Sequence, residues 1–356
     1  MAVFIKGMGT ISPQQSWNDE ALLLQAFDYR GVILRAVEPE YENWLDPRQL
    51  RRLSRVMKMG IISGLMALRD AELDVPDGII TGTGYGCLED TGSFLKRMIE
   101  NREDALNPTP FIQSTHNTIG STIAMLLQCQ GYNQTFTHGA FSFEHALLDA
   151  LIYLGETPDH RLLLGAFDEI TDVSHTILSR FDVFRRKQAS TLNLFTQSRP
   201  GTVQGEGSAF FVLTGAQDDK CMASVQSVTT LYKPSPQRLR DAVEIFIREA
   251  GVAPNEVDLV LLGKSGDRKQ DLVLDDLTKQ VFPRSNMGLF KHLCGEYPVA
   301  SSFALWLAAR IIYERHIPEV VIFRHVSRPV RNVLILNSNF GTHYSLILVK
   351  ACRDTF

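Results

Sequence analysis

The sequence predicts an α/β protein made of two similar halves, and three observations carry that expectation. Short apolar runs of strand character alternate with stretches of helical periodicity, from Val3–Gly9 near the start to Tyr344–Val349 near the end. Val257–Leu262 is apolar throughout, as a parallel strand covered on both faces should be. Near 215–220 the chain turns polar, and a second set of strand and helix patterns begins. That break separates a half at 1–215 from a half at 216–356.

Composition narrows the function classes. The chain has 356 residues, 44% of them hydrophobic and 21% charged, which is ample for a core. A net charge of −4 gives no electrostatic case for binding nucleic acid. No apolar run approaches the ~18–20 residues that span a bilayer, so no membrane partner is expected. The opening MAVFIKGMGT is too short and too mixed for a signal peptide. Cys87, Cys129, Cys221, Cys294 and Cys352 are scattered without a C-x-x-C pair, which fits reduced thiols in a cytoplasm and no metal site.

Taken in order, Val3–Gly9 reads as a strand ending in glycines, and Leu50–Leu73 as one helix with Arg51, Arg55 and Lys58 on a common face. That face is either simply solvated or a patch for an acidic partner. Gly78–Gly86 reads as a buried strand running into a glycine-rich turn. Gly82, Gly84 and Gly86 alternate, the G-x-G-x-x-G spacing fails, and no cofactor is expected. Tyr132–Phe136 is a strand, and Ala146, Leu147, Ala150, Leu151 and Leu154 form the apolar face of a following helix that Ser142 could cap. Strand, sharp turn and helix make the shape of a nucleophile elbow, where the helix dipole favours an anion. The turn itself reads Gly139-Ala140-Phe141, and none of these residues can attack a substrate. Glu206 stands between two glycines before an apolar strand and reads as a structural carboxylate ordering its turn. Ala300–His316 is a helix. Val330–Asn337 and Tyr344–Val349 are closing strands joined by Ser338–His343.

Several of these stretches resemble the β-ketoacyl-acyl carrier protein synthases. Val3 to Pro13 is similar to the family's V-x-G-x-G-x-x-S-P, and Arg199–Leu213 to its R-x-G-F-x-x-G-E-G-A-x-x-x-V-L. Asn117, Gly120, Ile123 and Ala124 sit on the segment before the nucleophile, and Thr137–Ala150 on T-A-C-A-S-G-x-x-A-I-x-x-A. The resemblance implies a thiolase-like fold, with two βαβαβαββ halves stacked as a five-layered αβαβα sandwich.

It also implies a catalytic set of one cysteine, two histidines and a lysine, and here the sequence departs from the family. Ala140 falls on the cysteine, Gly263 on the first histidine and Glu296 on the second, while Lys291 is kept. Phe340 resembles the family's gating phenylalanine, and Ala140, Phe141, Ser142, Phe340 and Gly341 fall in its substrate pocket. The implied partners are an acyl carrier protein and a second chain, as a homodimer or as a heterodimer with an active ketosynthase. Two readings stay open. The chain is a non-condensing partner like the family's chain-length factors and its aryl polyene and flexirubin relatives. Alternatively it is an acyl-thioester enzyme, a decarboxylase, hydrolase or atypical condensing enzyme, that uses Lys291, Glu296 and His343. A blander role for Lys291 and Glu296 is a buried ion pair.

Overall fold

The computed structural model describes residues 2–18, 22–104, 106–196, 199–326 and 328–352. Its strands are β1 (Val3–Ile11), β2 (Ile33–Leu34), β3 (Gly78–Gly82), β4 (Tyr132–Phe136), β5 (Arg161–Asp168), β6 (Gln204–Gly205), β7 (Gly207–Thr214), β8 (Ala223–Tyr232), β9 (Leu259–Leu262), β10 (Asn286–Leu289), β11 (Ile322–Arg324), β12 (Asn332–Asn339) and β13 (His343–Lys350). β2 and β6 form a small separate pair, and the others lie in the order β11-β10-β9-β12-β13-β8-β1-β7-β5-β3-β4.

This order contains one pattern twice. β4-β3-β5-β7-β1 and β10-β9-β12-β13-β8 each run as three parallel strands followed by two antiparallel ones. The two half-sheets meet where Val3–Ile5 of β1 pairs with Ala223–Val225 of β8.

Alternation along the strands decides which side chains meet which layer. Leu162 and Leu164 of β5, Leu259 and Leu261 of β9, and Val333 and Ile335 of β12 all face one central core, together with the helices Ser142–Glu156 and Ala300–Glu314. Leu163, Phe210 and Val212 face outward onto the helices Arg55–Asp70 and Thr118–Leu127. Val260, Leu262, Leu334 and Leu336 face the helices Pro236–Glu249 and Arg268–Val281 on the other side. Helix, sheet, helix, sheet, helix is therefore the layer order. Both sheets are covered on both faces, which is why their strands carry so few polar residues.

The expected single helix over Leu50–Leu73 is divided. Pro47–Leu50 forms one turn, with the Asp46 side chain accepting from the Arg48 N–H at 2.7 Å, and the longer helix starts afresh at Arg55. Arg51 therefore does not share a helical face with Arg55 and Lys58. The closing strands also run further toward their hairpin than the sequence suggests, so His343 is a strand residue opposite Asn339. Among the described residues no helix is long and apolar enough to cross a membrane.

Candidate functional site

The site is assembled where the N-termini of the two central helices face the ends of β12 and β13. On the N-terminal side, β4 leads through the turn Gly139–Phe141 into the helix Ser142–Glu156. Gly139 has φ +57°, a conformation that favours glycine and lets the chain reverse sharply. Ala140 is buried at the turn. Ser142 is the first residue of the helix and not its cap. Its buried hydroxyl accepts from the His138 N–H at 2.9 Å and lies 2.9 Å from the Thr83 carbonyl, so it closes the turn.

Phe141 is ringed by histidines. Its ring centre is 4.8 Å from that of His343 and 5.9 Å from that of His145. His138 and His145 bring their Nδ1 atoms to 2.6 Å, so one must donate to the other. His343 also packs on Tyr232 at 5.0 Å and bonds the Thr342 hydroxyl through Nδ1 at 2.9 Å. Burial lowers the pKa of His145 and of His343, with nearby positive charge from His138 and Lys233 respectively as the smaller cause.

On the C-terminal side, the turn after β10 holds Lys291 and Glu296, both fully out of solvent. Lys291 Nζ donates to Glu296 Oε2 at 2.6 Å and to the Ser338 carbonyl. The other oxygen, Glu296 Oε1, accepts from Asn339 Nδ2 at 2.9 Å. The ammonium and carboxylate thus spend themselves on each other and on β12. The structure joins Lys291 to Glu296 and Phe141 to His343, and Asn339, which bonds Glu296, pairs with His343 across the hairpin; among the described residues no hydrogen bond or ion pair joins His343 to Lys291 or Glu296, so the expected triad does not assemble directly. Cys294, the thiol nearest these motifs, is fully buried, and burial pushes its pKa up, so little thiolate is available there.

Gly263 follows β9 and has no room for a side chain. A Cβ there would lie 2.8 Å from Asn337 Cα and closer still to the Asn337 side-chain oxygen. In this backbone a histidine cannot occupy the position. Phe340 heads the β12–β13 hairpin with φ +47°, a strained conformation for a bulky residue, and its ring lies 6.0 Å from that of Phe184. Gly341 follows in the same turn, with φ +65°.

Glu206 ties down the neighbouring loops. Its fully buried carboxylate accepts from the Ala36 and Ile170 N–H groups at 2.9 and 2.8 Å and is clamped by both Arg55 guanidinium nitrogens at 2.9 and 2.7 Å. Arg55 is further bonded to Glu38. It is a structural cation, not part of a free basic face.

Four site residues escaped the sequence reading: Glu144, Ser301, Asn337 and Ser345. Three of them carried a signal. Glu144 lies on the same apolar stripe as Leu147 and Leu151. Asn337 and Ser345 interrupt runs of apolar residues on the centrally facing side of β12 and β13.

Residues 33–205 match the family model described as the N-terminal domain of β-ketoacyl synthase. That segment, just under half of the chain, is similar to the β-ketoacyl synthases. It includes the elbow, β3 to β6 and the Glu206-flanking turn up to Gly205. Solved structures share the fold over nearly the whole chain. The ishigamide ketosynthase/chain length factor is 18% identical with a TM-score of 0.78, covering 98% of this chain and 99% of that one. A β-ketoacyl synthase from Burkholderia phymatum STM815 is 15% identical with a TM-score of 0.79, covering 99% of each. The ketosynthase ApeO in complex with its chain length factor ApeC, from Xenorhabdus doucetiae, gives 15% identity and a TM-score of 0.75 over 98% of each chain. No match was found among curated protein sequences. The fold is therefore that of the ketosynthases, thiolase-like and mixed α/β.

Proposed function

We propose that this chain is a non-condensing β-ketoacyl synthase-like protein that pairs with an active ketosynthase in fatty acid or polyketide-type biosynthesis and shapes the pocket holding the growing chain. The observation that carries this reading is the elbow: its nucleophile position, Ala140, bears a methyl group. Two further features agree with it. Gly263 cannot be replaced by an imidazole without moving β12, and Lys291–Glu296 is a closed, dry ion pair. Condensation needs a thiolate to accept the acyl group and donors to stabilise the enolate oxygen, and these positions supply neither.

Pairing is supported by the edge of the sheet. β4 is a terminal strand whose first three residues are exposed, and an unpaired edge is a template for another chain. Met125, Tyr132, Leu148 and Ile152 add exposed apolar side chains on β4 and on two nearby helices. A carrier protein is supported by exposed Arg48, Arg51 and Arg52 beside exposed Phe111 and Ile112, a basic surface with an apolar centre that suits an acidic helix. Similarity to a ketosynthase solved with its chain length factor points the same way.

Intact-protein mass spectrometry after incubation with acyl- and malonyl-carrier protein tests the reading. The expected spectrum shows the unmodified chain. A covalent acyl adduct, mapped by fragmentation, would replace the proposal with an enzyme and identify its nucleophile.

A further inference from the structure

Glu144 is a buried acid that neither the elbow nor the Lys291–Glu296 pair accounts for. It lies on the elbow helix four residues after Ala140, with no exposed surface. Its Oε1 accepts from Ser345 Oγ of β13 at 2.6 Å. Among the described residues its Oε2 makes no hydrogen bond of ordinary geometry, and the equally buried Ser301 hydroxyl on the opposing central helix stands close enough to exchange one with it. The groups that face Glu144 are thus Ser345 from β13, Ser301 from the helix Ala300–Glu314, and the charge of Lys291 from the turn after β10. Lys291 is already bonded to Glu296 and to the Ser338 carbonyl.

Lys291, Glu296 and Glu144 are all out of water, and Asp271, whose carboxyl accepts from the Ser265 and Gly266 N–H groups, also feels the Lys291 charge. The ammonium is matched by Glu296. An ionised Glu144 would be a further buried charge with no cation bonded to it, the arrangement that proteins avoid by taking up a proton. A proton on Oε2 lets the acid O–H donate to the Ser301 oxygen beside it and leaves the carboxyl uncharged, whereas Ser301 donating to an ionised Oε2 would leave the charge buried.

We infer that Glu144 is a neutral carboxylic acid in the folded protein and a positioning residue of the site, whose proton fastens the elbow helix to β13 and to the second central helix. Ionising it loosens the contact through which the two half-sheets hold the elbow. Burial is also the main influence on its titration and raises its pKa, against the opposing pull of Ser345, Ser301 and Lys291. The sign follows from linkage. A carboxyl whose folded pKa lies above its unfolded value stabilises the fold fully below the unfolded pKa, near 4.3 for glutamate, and that contribution is lost as pH rises toward the folded pKa. This inference does not depend on the partner reading, because it concerns charge in the core and not acyl transfer.

The test is thermal melting of the full chain and of Glu144→Gln at intervals from about pH 5 to pH 9. Glutamine keeps an acceptor for Ser345 and a donor for Ser301, and it cannot ionise. The wild-type Tm is expected to fall relative to the variant by roughly 2 °C per pH unit, until the folded pKa is passed. Taking the difference between the two proteins cancels every other titrating group. A difference that does not change with pH, or one that moves in favour of the wild type as pH rises, overturns the inference. Should the variant fail to fold, the Glu144 carboxyl carbon shift in ¹³C-labelled wild-type protein at pH 7, assigned by its displacement in Ser345→Ala, decides. A protonated acid is expected there, and a carboxylate overturns the proposal.

Discussion

Two turns of this molecule occupy equivalent places in its repeated topology and have opposite contents. After β4 the chain enters the elbow, where Ala140 is apolar and Phe141 packs among imidazoles. After β10 it enters the turn of Lys291 and Glu296, where a cation and an anion are sealed together. The first turn carries no reactive group. The second holds charged groups but commits them to one another. The two contents have different energetic consequences. An alanine leaves little to disturb, whereas a sealed ion pair becomes a liability once half of it is removed.

The largest effect should come from breaking that pair. Lys291→Met strands the Glu296 carboxylate and should lower unfolding stability by about 3–5 kcal/mol in denaturant titration. A loss below about 1 kcal/mol would mean that the pair is not the sealed unit described here. Next comes Gly263→Ala. The added methyl meets β12 backbone and should cost about 1–3 kcal/mol, read in the same titration. A neutral result would show that β12 yields easily and that a larger side chain could be restored there. Ala140→Trp should leave the fold assembled but weaken pairing with a ketosynthase or shorten the acyl products of the pair, checked by native mass spectrometry and product analysis. No change in either would remove the pocket-shaping role. Ala140→Cys should have the smallest effect, within about 0.5 kcal/mol, and should not create condensation activity, because no imidazole joins the new thiol from position 263 or 296. Condensation by that single variant would show that the other groups are dispensable.

Much of the fold was legible. Strand–helix alternation and the apolar run at Val257–Leu262 both lead to a layered α/β architecture. The elbow was legible because a strand, a glycine turn and a helical stripe follow in close succession. The division of the Leu50–Leu73 helix was harder to see, since Pro47 and Ser54 are each common at helix starts and either one could have opened a single helix. The basic face was misjudged for a different reason. The partners of Arg55 are Glu206 and Glu38, 151 and 17 residues away, and spacing along a helix says nothing about them. The lack of room at Gly263 depends on how closely β12 approaches β9, which no local pattern encodes. Glu144 shows a signal that was present and went unread, a carboxyl on an apolar stripe, which is costly to bury and seldom accidental.

The most direct test is co-expression of this chain with the cysteine-bearing ketosynthase encoded nearest to it, followed by native mass spectrometry and acyl-transfer assay of each chain alone and of the pair. The account predicts a complex of one copy of each chain, with condensation that requires the partner's cysteine and no condensation from this chain alone. Condensation by this chain alone, or the absence of any complex between the two, would contradict it.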